Sequence, residues 1–74
     1  MTRMPRITGK KVISALKSAG FIVVRVTGSH HHLHKPGSRL VTVPVHAGET
    51  LSPMLIKSIL EQAGLTVEEF MELL

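Results

Sequence analysis

Four of the chain's five histidines, His30, His31, His32 and His34, fall within five residues, directly after Gly28-Ser29. Imidazole takes and gives protons near neutral pH, so so dense a set points first to proton transfer. There is no cysteine, tryptophan or tyrosine, and all five acids are glutamate, so no cysteine, tyrosine or aspartate competes for a catalytic role. Other uses of the run exist. His30, His32 and His34 alternate and would share a strand face, where imidazoles can ligate zinc. No cysteine or aspartate backs them, and the neighbouring Arg25 and Lys35 would repel a cation, so neither metal nor cofactor is expected. Gly-Ser-His-His-His also resembles a purification-tag remnant, but it sits mid-chain between strand-like segments. The plainest alternative is a polar strand face that merely tolerates histidine.

The charge around the histidines narrows the partner. Residues 1–39 carry eight of the nine Lys and Arg and no acid, whereas residues 40–74 carry one Lys and all five Glu. The halves are therefore +8 and −4, which sum to the net +4. An acid-free basic half favours a polyanion, nucleic acid above all. At 74 residues the chain reads as one domain, which buries only about 60% of its unfolded surface and leaves no room for a deep pocket. The active surface should be shallow. The basic start Met1 to Arg6 is not followed by the apolar stretch of a secretory signal, and no apolar run reaches membrane-spanning length. A cytoplasmic protein with no membrane partner is the expectation, and the lack of cysteine fits a reducing compartment.

Several elements must position the histidines. Thr8 and Gly9 open a helix running to Ala19, with Val12, Ile13, Leu16 and Ala19 as its apolar stripe and Lys10, Lys11 and Lys17 turned away. Gly20 stands where a helix ends in the left-handed conformation. Phe21 to Thr27 is β-branched and reads as a strand; simple alternation puts Arg25 on the face of Phe21 and Val23. Gly28-Ser29 suits a two-residue type II′ hairpin loop. His30 to Lys35 is the return strand, with His30, His32 and His34 opposite His31, Leu33 and Lys35. Leu33 marks the core side, which leaves His30, His32 and His34 toward solvent or a ligand. After the Pro36-Gly37 turn, Arg39 to Val45 is a third strand, with Val41, Val43 and Val45 on one face; Pro44 means that the strand's end lies at an edge or has left the ladder. Ser52-Pro53 starts a helix that buries Ile56, Ile59, Leu60 and Ala63 and stops at Gly64. Thr66 and Glu69 form a capping box for a short last helix with the stripe Val67, Phe70, Met71 and Leu74. The expected fold is α+β: a helix, a three-stranded antiparallel sheet, a helix and a short C-terminal helix.

The residues resemble the HicA-type toxins of bacterial and archaeal toxin–antitoxin pairs. The resemblance runs from Gly9-Lys10-Lys11-Val12 through Gly20 to Arg25, Gly28-Ser29-His30, Pro36-Gly37 and Val41-Thr42-Val43-Pro44 to the stretch from Ile59 to Phe70. It implies a single domain over residues 1–74, similar to the double-stranded RNA-binding domain. It implies an endoribonuclease that cleaves mRNA without metal and so arrests translation, as the toxin of a type II system. It also implies a HicB-like antitoxin that covers the catalytic histidine, which maps to His30 of Gly-Ser-His. His31, His32 and His34 go beyond the family pattern, and whether they share the role is left open.

RNA brings its own nucleophile, the 2′-hydroxyl. A histidine base that takes its proton would leave a 2′,3′-cyclic phosphate and a free 5′-hydroxyl, with a gain of roughly 10² to 10⁴ in rate. The residues placed in contact with RNA are Lys10, Lys11, Arg25, Ser29, His32 and Lys35, with Lys10, Arg25 and Lys35 as the cations for charge growing on the phosphate. The alternative is a non-catalytic RNA-binding module of the same fold, although two Phe and no other aromatic offer little for base stacking.

Overall fold

The computed structural model describes residues 6–74. Met1 to Pro5, counted above in the basic half, lie outside the described residues. Thr8 caps helix α1 (Gly9–Ser18), its hydroxyl accepting from the Lys11 N–H at 3.2 Å. That bond satisfies one of the free donors of the first turn. Val12, Ile13, Ala15 and Leu16 are buried, while Lys10, Lys11 and Lys17 are exposed.

Three strands follow: β1 (Ile22–Thr27), β2 (His30–His34) and β3 (Val41–Pro44), in the order β1-β2-β3 and antiparallel throughout. The β1–β2 loop is Gly28-Ser29, closed by the pair Thr27 and His30. Gly28 has φ +59, and among the described residues no non-glycine has positive φ. Positive φ at the first loop position alone is the signature of a type II′ turn. Helix α2 (Pro53–Ala63) begins at its cap Ser52 and ends at Gly64, φ +73. Helix α3 (Val67–Leu73) carries the full capping box between Thr66 and Glu69. This is the expected α+β arrangement.

The helices cover one face of the sheet. Leu33, Val41 and Val43 from the strands form one core with Val12 and Leu16 of α1, Ile56, Ile59 and Leu60 of α2, and the buried Phe21 and Phe70. The smallest extent of the fold is 17 Å, room for one sheet and one helix layer. Among the described residues nothing packs on the other sheet face, called the bare face below.

Helix α1 stops at Ser18 rather than Ala19, β1 starts at Ile22 rather than Phe21, β2 stops at His34 rather than Lys35, and three larger details differ from the sequence expectation. The third strand is Val41–Pro44 rather than Arg39–Val45. Arg39 is in the connection, where the Ser38 hydroxyl bonds the backbone of both Lys35 and Arg39. In α3 the residues packed inward are Val67, Phe70 and Leu73, while Met71 and Leu74 are 38% and 44% exposed. Most consequential, the pairing of β1 with β2 slips by one between Val23 and Arg25. Val23 stands opposite Leu33 and Arg25 opposite His32, with Val24 as the extra residue of a bulge. Arg25 therefore leaves the face of Phe21 and Val23 and joins that of His32.

Candidate active site

Directly opposed residues of neighbouring strands share a sheet face. The bare face thus carries Thr27, His30 and Pro44 in one row, Arg25, His32 and Thr42 in the next, and Ile22 and His34 in a third. His30 and His34 are exposed and His32 is half-buried. His31 lies on the other side, between Val26 and Val43, and its Nδ1 is buried without a hydrogen-bond partner among the described residues. The core-side position of Leu33 and the outward position of His30, His32 and His34 agree with the alternation of the sequence.

The middle row is the most tightly built. The ring Nδ1 of His32 is 3.1 Å from the Thr42 hydroxyl. The reason is the ladder. Val45 N–H donates to the Ser29 carbonyl at 2.7 Å, so counting inward by alternation makes His30–Pro44 and His32–Thr42 the non-hydrogen-bonded pairs, in which side chains come closest. The Thr42 N–H consequently points off the sheet edge, where the Gln62 side-chain oxygen of α2 accepts it at 3.2 Å. Pro44 has no N–H to lose at the corresponding place. Thr42 and Gln62 were not singled out from the sequence. The Thr42 contact follows once the strand register is known, and the Gln62 contact spans 20 residues and left no local signal.

Ser29 is half-buried, and its carbonyl ties the hairpin loop to the chain leaving β3. Gly9, the first residue of α1, lies against the end of that strand. A Cβ there would stand 2.2 Å from the Pro44 carbonyl oxygen, closer than atoms can come. Only glycine lets α1 start so near, and the exposed Lys10 and Lys11 are thereby brought to the end of the sheet where His30 faces Pro44. Lys35 is placed elsewhere. Its ammonium donates to the Ala19 carbonyl at 3.2 Å and lies 4.9 Å from the centre of the Phe21 ring. It closes the C-terminal end of α1, five residues and so about 17 Å along the strand direction from His30 at the usual rise. Lys35 also borders a cleft of about 390 Å³ with Arg39, Glu61 and Gln62; no histidine lines it.

The electrostatics of the bare face follow from where the acids are. The glutamates are Glu49, Glu61, Glu68, Glu69 and Glu72, all in the connection before α2 or in α2 and α3. No strand carries a carboxylate. Arg25 and the imidazoles meet solvent with nothing of opposite sign beside them in the sheet. His30, His32 and His34 point the same way but are spaced along a strand, and among the described residues no group of three His, Asp or Glu is close enough to hold a metal ion.

The model of the family described as the HicA toxin of bacterial toxin–antitoxin systems matches residues 9–65. The chain belongs to this family. The matched stretch holds α1, the whole sheet and α2, and so every residue of the three rows above. Membership of a HicA toxin family implies an antitoxin as partner. None of the curated proteins matches the chain. Among the described residues no helix is long and apolar enough to cross a membrane.

Proposed function

We propose that this HicA-family chain is an endoribonuclease that cleaves mRNA in the cytoplasm, with His30 as the general base, and that residues 1–74 act as a single domain. The observation that carries the reading is the one-residue bulge of β1, which swings Arg25 onto the acid-free histidine face, opposite His32 and one row from His30. Bulges commonly re-aim side chains beside active sites. His30 is exposed at the exit of a tight hairpin, within reach of a ribose laid across the face. A neutral His30 ring nitrogen takes the 2′-hydroxyl proton as the oxygen attacks phosphorus in line. Arg25 is the cation for the charge growing on the phosphate. Lys10 and Lys11 hold the neighbouring backbone from the end of the sheet, and Ser29 fixes the hairpin that carries His30. Lys35, engaged with Ala19 and Phe21, contributes charge at a distance rather than contact. A HicB-like antitoxin would oppose this surface with an acidic one.

The test is cleavage of a defined RNA by the purified parent and by His30→Ala, with folding of both checked by circular dichroism. The parent should release fragments ending in 2′,3′-cyclic phosphate and 5′-hydroxyl, unaffected by a strong chelator. His30→Ala should be slower by about 10² to 10⁴. A folded His30→Ala that cuts as fast as the parent refutes the assignment, and a parent that binds RNA without cutting it leaves the non-catalytic module as the correct reading.

A further inference from the structure

We propose that His32 is a second proton carrier, the general acid that protonates the leaving 5′-oxygen. The proposal rests on the nuclease reading above and goes beyond a mechanism with one histidine. His30 and His32 are alternate residues of one strand and face the same way. Their backbones are about 7 Å apart at the usual rise per residue, so two imidazoles can flank one phosphate, one toward the attacking oxygen and one toward the leaving oxygen. His32 is the ring whose orientation is set, through Nδ1 and the Thr42 hydroxyl at 3.1 Å. Thr42 is held in turn at its backbone N–H by Gln62. With Nδ1–H donating to Thr42 Oγ1, a bond available to the neutral and the charged ring alike, Nε2 is the nitrogen that carries the mobile proton. A fixed tautomer of this kind is how second-layer hydrogen bonds prepare a histidine for proton transfer.

The titratable and charged groups facing His32 are Arg25 across β1 and, on its own strand, His30 and His34; β3 offers only Thr42. The bound phosphate supplies the negative charge that lets an imidazolium and a guanidinium stand in one row. In the step itself, the 2′-oxygen gives its proton to His30 and forms its bond to phosphorus. The bond from phosphorus to the 5′-oxygen breaks, and that oxygen takes the Nε2 proton of His32. The reaction ends with His30 charged and His32 neutral, and exchange with solvent resets both.

The experiment compares two RNAs cut at the same mapped site, one ordinary and one with sulfur in place of the 5′-bridging oxygen, whose thiolate leaves without a proton. His32→Gln should slow ordinary RNA by about a hundredfold and remove the alkaline limb of the pH–rate profile, yet cut the sulfur substrate within a few-fold of the parent. Thr42→Val should show the same pattern with a smaller loss, and it decides the matter if His32→Gln fails to fold. Equal losses on both substrates, or no loss on ordinary RNA, overturn the proposal. His30→Ala should be slow on both RNAs. If it is not, the base assignment fails, while the ratio of rates on the two substrates still judges His32. A parent inactive on both overturns the nuclease reading and this inference together.

Discussion

His31 and His32 are neighbours in sequence, are both half-buried, and have opposite surroundings. His31 faces the helix layer, between Val26 and Val43, with a ring nitrogen that finds no partner among the described residues. His32 faces the bare side, where Arg25, Thr42 and, through Thr42, Gln62 surround it. The same side chain is an expense to the fold in one place and a prepared group in the other. One face of β2 answers to packing and the other to chemistry, and substitutions should separate the two.

The largest separation is expected between Leu33 and His30. Leu33→Ala removes a fully buried side chain and should cost about 2–5 kcal/mol of stability, enough to unfold much of so small a domain. His30→Ala, on the exposed side, should change stability by no more than about 0.5 kcal/mol while abolishing most cleavage. Thermal melts and cleavage rates of the two variants check this, and a stability loss at His30 as large as that at Leu33 would erase the division. Next comes Gly9→Ala. Alanine is the better helix former, but its Cβ would collide with the Pro44 carbonyl. A net loss of about 1–3 kcal/mol is expected by denaturant titration, with weaker RNA binding as Lys10 and Lys11 shift. Binding of RNA to His30→Ala should in turn weaken by roughly twentyfold between 50 and 200 mM salt if about three phosphates are neutralised. Arg25→Gln should flatten that slope by about one contact, as read by fluorescence anisotropy. The smallest effect is at His31. Replacing it by leucine removes an unsatisfied buried nitrogen, so stability should stay level or rise by up to about 1 kcal/mol, with cleavage unchanged.

What the sequence made legible was local. Thr8, Ser52 and the pair Thr66 and Glu69 announce helix starts because capping acts within one turn. Gly28-Ser29 announces its hairpin for a similar reason, and the outward set His30, His32 and His34 follows from alternation around Leu33. Alternation misplaced Arg25, since a run of β-branched residues on both parities, Ile22 to Val26, gives no mark of where a bulge falls. The sequence sets Lys35 among the RNA-contacting cations, because nothing nearby in sequence shows that the carbonyl of Ala19 and the ring of Phe21 will meet it. The partners of His32 were invisible for the same reason. Thr42 and Gln62 are brought in by register and by the packing of α2 on β3, which are properties of the folded chain.

Pro44 and Gln62 have a joint effect on how the molecule meets copies of itself. The outward backbone donors of β3 should fall at positions 42 and 44; the first is taken by Gln62 and the second does not exist in proline. A foreign strand laid along β3 would find no N–H to grip there, which weakens edge-to-edge growth of the sheet on the β3 side.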